Sequence, residues 1–316
     1  MASEPETMHV RLAGSYDFDR FERMVEAVQP LLWMQEPAAV HLDLGGLVFI
    51  GPTSLALLEA VINDLARKSF LAVGGQLILP RNEMTRNYLH RMDFFSGLDA
   101  LEPIDEPFSR RPAVGFQPCM RFRTVDELPP VTSGLSQALV DRCKVDEVAK
   151  AAMWICLDEL VENVIHHAAS PVGGVAAAQG VLKKNRFEVG IADLGVGIRG
   201  SLAKNPKHAD IEDDVQAIVR AMEPFVTATP RRNAGTGLFI TKLLLKRNGG
   251  ELLIRSGRGL VRGAGQEIAV TVDTHLPGTV VALRARTDQA LDINSVYEQL
   301  AVYEADHDVG SGESDD

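Results

Sequence analysis

The amino-acid sequence predicts an α/β (α+β) protein with two domains. Over residues 8–105, short apolar strands alternate with amphipathic helices, which is typical of an α/β layer. Over residues 116–287 the order differs: helices come early, and glycine-bearing turns follow the strands. A proline-rich, charged stretch separates the two patterns and predicts a linker at residues 106–115. The length of 316 residues suits two domains of ordinary size, followed by a C-terminal helix and acidic tail at 288–316.

The composition is that of a globular protein, with 46% hydrophobic and 24% charged residues. The formal net charge of −11 argues against nonspecific binding to nucleic acid or to an anionic membrane surface. No run of about 18 apolar residues predicts a membrane span, and the acidic start does not resemble a signal peptide. Three cysteines without metal-like spacing indicate reduced thiols. We therefore expect a cytoplasmic protein.

The N-terminal domain is predicted from its hydrophobic periodicity. Alternating or continuous apolar runs indicate strands, and amphipathic stretches between them indicate helices. Strands are expected at 8–12, 40–44 and 75–80, and helices at 17–32, 55–68 and 82–92.

The C-terminal domain follows from the same criteria. A long helix is expected through 158–168, because apolar positions recur at helical spacing and neither glycine nor proline occurs from 144 to 170. Two strands, 174–182 and 187–192, are expected to pair antiparallel around the turn at 183–185. The other elements are a strand at 120–124, helices at 132–142, 213–222, 238–248 and 292–303, and a strand at 277–283.

The first candidate site lies on the long helix. Glu159 and Asn163 are four residues apart, so they share one helix face. A carboxylate can take a proton from an attacking hydroxyl or water, and a carboxamide oxygen is a ligand that Mg²⁺ accepts. Alone, such a pair is also common on solvated helix faces.

The second candidate segment follows the apolar strand at 187–192. Asp193 is followed by Gly195 and Gly197 in a turn. An aspartate there can accept a hydrogen bond from an exocyclic amine such as that of adenine, and the glycines let the backbone approach a flat ring. The alternative is a plain turn at a strand end.

The third segment opens a helix. Gly235, Thr236, Gly237 and Leu238 precede an apolar helical run that ends at Gly249. The free N–H groups at a helix start form an anion site suited to phosphates. By itself a Gly-x-Gly before a helix carries little information.

In this order and spacing, E-x-x-x-N, D-x-G-x-G and G-x-G-L resemble the N, G1 and G2 boxes of the GHKL superfamily of ATP-binding domains, which includes DNA gyrases and histidine kinases. A fourth match is the Gly278-Thr279 pair in the strand at 277–283. The resemblance covers about half of the chain, from 116 to 286. It implies the Bergerat α/β sandwich with a mixed sheet.

The resemblance also implies roles for the residues and names the ligands, ATP and Mg²⁺. Glu159 would be the general base, Asn163 the Mg²⁺ ligand and Asp193 the adenine reader. The nucleotide would be held by Gly195, Gly197, Gly235, Thr236, Gly237, Leu238 and Thr279. His167, which follows Asn163 by four residues, would pack beside the site.

Residues 199–234 correspond in the family to a lid over the triphosphate. Arg231 and Arg232 lie in this stretch and are candidates for contacts with the γ-phosphate, because guanidinium groups suit phosphate oxygens. Paired arginines on a loop are more often simply solvated.

Residues 8–105 are similar to STAS domains, the fold of anti-sigma-factor antagonists. In antagonists a D-S-S-G turn carries the phosphoacceptor; here the turn reads Gly51-Pro52-Thr53-Ser54. Thr53 occupies the acceptor position, although the leading aspartate and the trailing glycine are missing. The favoured alternative is that Thr53 or Ser54 caps the helix that follows.

Three functions compete at this point. The first is an anti-sigma-type serine/threonine kinase that acts on a STAS-like antagonist, a sigma-factor-like regulator or its own N-terminal domain. The second is an ATPase whose lid closure drives a conformational or dimerisation change, with a homodimer as one expected form. The third is a nucleotide-gated binding module without turnover. The carboxylate of Glu159 weighs against the third, because binding alone needs no base.

Overall fold

The protein is described by a computed structural model that covers residues 7–73, 75–98, 116–143, 145–229 and 235–308. The predicted linker at 106–115 and the end of the acidic tail lie outside these ranges. Across the ranges described, no helix combines the length and the apolar character needed to cross a membrane.

The N-terminal unit is a three-stranded parallel sheet in the order β1-β2-β3. Parallel neighbours need a crossover connection, and helices provide it here. The predicted strands and helices are confirmed, although the second strand is longer than expected and the second helix begins three residues earlier. The elements are β1 (Thr7–Tyr16), α1 (Phe21–Leu32), β2 (Ala39–Ile50), α2 (Pro52–Arg67), β3 (Gly75–Ile78) and α3 (Glu83–Arg91).

The C-terminal unit is built on a five-stranded sheet in the order β4-β5-β6-β8-β7. Its elements are β4 (Phe116–Phe122), α4 (Leu128–Cys143), α5 (Glu147–Asn163), β5 (Gly174–Val181), β6 (Arg186–Asp193), α6 (Gly197–Leu202), α7 (Asp214–Ala221), α8 (Gly237–Asn248), β7 (Glu251–Arg262), β8 (Ile268–Arg286) and α9 (Ile293–Asp308).

Every neighbouring pair in this sheet is antiparallel, so the expectation of a mixed sheet was wrong. The reason is the placement of β8. The strands β6 and β7 run in the same direction, but β8 lies between them and pairs antiparallel with both. The predicted β5–β6 hairpin is confirmed.

The two faces of the five-stranded sheet carry different layers. Helices α4, α5 and α8 pack on one face, whereas α1 and α2 of the N-terminal unit pack on the other. Successive residues of a strand point to opposite faces, so Ile191 packs with α5 and Ala192 packs with the N-terminal helices. One hydrophobic core therefore continues from the N-terminal unit onto the back of the sheet.

The start of α2 lies directly against β6. A Cβ added to Gly190 would come within 2.6 Å of the Thr53 backbone nitrogen, so only glycine permits this approach. Thr53 is 1% exposed as a result. The interpretation of Thr53 or Ser54 as a helix cap was wrong: the helix begins at Pro52, with Gly51 in the capping position and no side-chain capping bond.

Charged pairs connect the same two layers. Glu22 of α1 contacts Arg255, which is fully buried, at 3.2 Å. Glu59 of α2 lies 2.9 Å from Arg121 of β4. Asp19 bridges Arg262 and Arg284. These pairs orient the N-terminal unit on the sheet, because leaving either partner buried and unpaired would be costly.

Glu59 gives this contact a predictable pH dependence. Its side chain is buried, one oxygen pairs with Arg121, and the other has no hydrogen-bond partner. Burial raises the pKa of Glu59 to about 7, against the opposing charge of Arg121. Between pH 4.5 and about 7, Glu59 therefore keeps its proton in the folded protein but loses it in the unfolded chain, where its pKa has the ordinary value of 4.5. The resulting stabilisation is complete below that value and is lost as the pH rises through about 7.

Glu59→Gln should remove this dependence. Relative to the variant, the wild type should lose about 3 kcal/mol of unfolding free energy between pH 4.5 and pH 8. Urea unfolding of both proteins across this range measures the difference, and all other titrating groups cancel. Parallel stability curves would show that Glu59 titrates normally.

Candidate functional site

A cavity of about 870 Å³, including its open mouth, lies on the sheet face opposite the N-terminal unit. Most of the predicted nucleotide residues converge on it from α5, α8, β6 and β8. The cavity is lined by Glu159, Asn163, Asp193, Gly197, Gly235, Gly237, Leu238 and Thr279, together with His167 and apolar residues that include Leu160, Ile191, Ile198 and Val281.

The remaining predicted residues lie elsewhere. Gly195 and Thr236 belong to the adjacent turns and do not line the cavity. Thr53 is on the opposite face of the sheet. Arg231 and Arg232 fall outside the described residues, so their contact with phosphate stays a prediction.

Glu159 and Asn163 occupy the last turn and a half of α5. Asp146 caps the start of this helix by accepting a bond of 2.8 Å from the Ala149 amide. Asn163 is the last α-helical residue, and a π-helical turn (Val164–Ala168) continues the chain. Burial, followed by the like charges of Glu162 and Asp158, raises the pKa of Glu159. A carboxylate with a raised pKa accepts a proton more readily, as a general base requires.

The N-terminus of α8 approaches Glu159 closely. A Cβ on Gly237 would lie 2.9 Å from the Glu159 Cβ, so glycine is needed where the two helices meet. Thr236 makes no side-chain capping bond to the first turn of α8. The amides at the start of this helix therefore lie beside the carboxylate, and amides in this position favour anions.

Asp193 ends β6 and is 4% exposed. Its Oδ1 accepts a hydrogen bond of 2.8 Å from the Gly195 amide, and the Thr279 amide also donates to this carboxylate. Burial nevertheless raises the pKa of Asp193 to about 7. Gly195 has a packing role here: the turn lies so close to the Ala168 carbonyl that a side chain would not fit.

Residues from the stretch expected to form a lid do reach the cavity. Ser201, Leu202, Ala221, Val226, Thr227 and Ala228 contribute to its wall. Within this stretch, the side-chain amide of Asn205 donates a hydrogen bond of 2.9 Å to the Thr227 carbonyl. Helix α7 packs on β7 and fixes the stretch to the sheet.

Ser256 was missed by the sequence analysis. It lies on β7, is 2% exposed, and contacts both the start of α6 and the Gly278-Thr279 pair. The only available signal was a small polar residue within the apolar run of β7, which does not distinguish a site residue from a core serine.

The donor set suits one small, hard cation held jointly with phosphate oxygens. Mg²⁺ prefers oxygen ligands and is usually held by one or two protein groups plus phosphates and waters. Asn163 offers such an oxygen at the cavity wall. Among the described residues, no cluster of three or more His, Cys, Asp or Glu side chains could hold a metal without such help.

Comparison with known proteins does not assign this chain to a family. No protein-family model matches the chain, and a search of curated proteins finds no match.

Proposed function

We propose that this protein binds Mg-ATP in the cavity and is a serine/threonine protein kinase of the anti-sigma-factor type, acting in a STAS partner-switching system. The observation that carries the proposal is the convergence of a buried acceptor, a candidate base and a helix N-terminus on one cavity. Asp193, Glu159 and Gly237 come from three separate sequence motifs, and all three line it. This arrangement suits a ligand with an amine-bearing base at one end and phosphates at the other.

In this proposal, each residue has a role that follows from its position in the cavity. Asp193 and Thr279 bind the base, and the amides at the start of α8 hold the phosphates. Glu159 accepts the proton of the attacking hydroxyl while the hydroxyl oxygen forms a bond to the γ-phosphorus. The bond between the γ-phosphorus and the β,γ-bridging oxygen breaks, and ADP leaves with the electron pair of that bond. Asn163 would hold Mg²⁺, and the ion would neutralise part of the phosphate charge.

The acceptor in this proposal is a hydroxyl of a partner protein, such as a STAS-like antagonist or a sigma-factor-like regulator. Thr53 is separated from the cavity by the sheet and is 1% exposed. Transfer to Thr53 would require α2 to leave the sheet.

One observation favours a second candidate, the ATPase switch. On β6, Ile191 lines the cavity while its neighbours Gly190 and Ala192 contact the N-terminal unit. A ligand that shifts this strand would act on both layers. In this candidate, water replaces the acceptor hydroxyl and the N-terminal unit responds to turnover. A module that binds nucleotide without turnover would not need the Glu159 carboxylate at the cavity wall as a base.

Asp193→Asn should weaken Mg-ATP binding about 30-fold or more, because the carboxylate acceptor is replaced by a group that also donates. Titration calorimetry with Mg-ATP measures the affinity, and Asp210→Asn, at an exposed surface carboxylate, is the matched control. Absence of ATP binding by the wild type would overturn the proposed function. Intact-mass spectrometry of candidate partner proteins after incubation with Mg-ATP, with released phosphate assayed in parallel, separates the kinase from the ATPase.

A further inference from the structure

Ser256 stands directly behind the end of the cavity that contains Asp193 and Thr279. Its hydroxyl accepts a hydrogen bond of 2.9 Å from the Ile198 amide, and its O–H donates one of 2.9 Å to the Gly278 carbonyl. The Thr279 hydroxyl lies 3.2 Å away. Ile198 and Thr279 both line the cavity, whereas Ser256 does not.

The number of protons on Ser256 decides the direction of its bond with Thr279. A serine hydroxyl has one proton and two lone pairs. The proton goes to the Gly278 carbonyl, and one lone pair takes the Ile198 amide. Only a lone pair remains for Thr279, so the Thr279 hydroxyl must donate to Ser256. The Thr279 oxygen then has no proton to offer the cavity and presents lone pairs instead.

Asp193 presents the same polarity beside it. Its carboxylate already accepts hydrogen bonds from the amides of Gly195 and Thr279. Above its pKa of about 7 this group is ionised and can only accept, so nucleotide affinities are compared well above that pH. Side chains at this end of the cavity therefore offer acceptors to a ligand edge. A base that carries an amine at this edge would be matched, whereas a base that carries a carbonyl oxygen would meet another acceptor.

We propose that Ser256 is a positioning residue that makes the cavity selective for 6-amino over 6-oxo purine nucleotides, by directing the Thr279 hydroxyl proton away from the ligand. The inference rests on the proposed function and deepens it. Without Ser256, the Thr279 hydroxyl can rotate and donate to a 6-oxo group, so discrimination should relax.

The local backbone is shaped around this hydroxyl. A Cβ on Gly197 would lie 2.9 Å from the Ser256 oxygen, and Gly197 has a φ of +71°. A glycine at this position therefore leaves the space that the serine hydroxyl occupies. Ser256 joins the first turn of α6 to β8, and both elements contribute to the cavity wall.

The test compares Mg-ATP with Mg-ITP, whose base carries a 6-oxo group in place of the 6-amino group. Affinities for both are measured by calorimetry on the full chain. In Ser256→Ala, the preference for ATP should fall about fivefold or more relative to the wild type, as loss of one hydrogen-bond discrimination implies. Ser136→Ala, at a buried serine on α4 that does not line the cavity, should leave the preference unchanged.

Thr279→Val and Thr279→Ser provide the second pair. The valine variant loses the hydroxyl and should lose the same preference as Ser256→Ala, whereas the serine variant keeps the hydroxyl and the preference. In the double variant Ser256→Ala/Thr279→Val, the losses should not add, because both remove one interaction. A purely structural role of Ser256 would lower stability without changing the ratio of the two affinities.

The outcomes separate the two levels of the proposal. An unchanged ATP/ITP ratio in Ser256→Ala, with ATP binding intact, overturns the role of Ser256 and leaves the proposed function standing. A wild type that binds neither nucleotide overturns the proposed function itself. If Ser256→Ala does not fold, equal ratios in Thr279→Val and Thr279→Ser overturn the inference.

Discussion

Glu159→Gln is expected to reduce phosphate transfer or ATP hydrolysis by about 10² to 10⁴-fold, while the affinity for Mg-ATP changes by less than about threefold. Glutamine keeps the size of the side chain, so the close contact with Gly237 at the start of α8 is preserved. It cannot accept the proton of an attacking hydroxyl or water. The loss should therefore appear in turnover and not in binding. Intact-mass spectrometry and a released-phosphate assay measure the first, and calorimetry measures the second.

Glu162→Gln is the matched control for this substitution. Glu162 lies on the same helix, does not line the cavity, and raises the pKa of Glu159 through its charge. Its removal should change turnover by much less than the loss of Glu159. If Glu159→Gln loses ATP binding as severely as Asp193→Asn, the proposed roles are contradicted, because Glu159 is proposed to accept a proton and Asp193 to bind the adenine.

Gly190→Ala is expected to have the largest effect on the fold. The added methyl group would lie within 2.6 Å of the Thr53 nitrogen and 3.0 Å of the Pro52 carbonyl carbon. These are backbone atoms at the start of a helix, so no side-chain rotation relieves the clash. Either the free energy of unfolding falls by about 3 kcal/mol or more, or α2 moves off the sheet.

Two measurements distinguish these results. Urea unfolding reports the loss of stability, and thiol labelling with peptide mapping reports separation of the layers through Cys119. Cys119 is half-buried against the N-terminal unit, and its amide donates to the Met92 carbonyl there. Burial raises the pKa of its thiol well above the usual range, so labelling should become faster when the layers separate. Gly265→Ala is the control, because the nearest atom to its new Cβ would be 3.8 Å away. Wild-type stability and labelling in Gly190→Ala would show that α2 does not pack on β6 in solution.

The same variant also addresses the acceptor. If α2 leaves the sheet while the cavity stays folded, Thr53 becomes accessible to solvent and to the active site of a kinase. If Thr53 is phosphorylated in Gly190→Ala but not in the wild type, packing of α2 on the sheet is what prevents phosphorylation of Thr53.

Much of the local structure could be predicted from the sequence because its determinants are local. Asp213 accepts from the Gln216 amide and opens α7, one residue after the predicted start. Gly249 ends α8 in the left-handed conformation, with φ of +67°. The resemblance of the Glu159, Asp193 and Gly237 motifs to the boxes of a known superfamily implied that they form one site, and all three line one cavity.

The sequence alone predicted most of the helices and strands and named the candidate site residues, since these depend on neighbours within a few positions. It did not predict β7 or α6, and its cap for α2 was wrong. Only the tertiary structure decided the antiparallel position of β8, the burial of Thr53 against Gly190 and the hydrogen bond between Ser256 and Thr279. Each of these brings together residues separated by more than 20 positions. Such contacts arise from the joint packing of several elements, and no short stretch of sequence contains the information that specifies them.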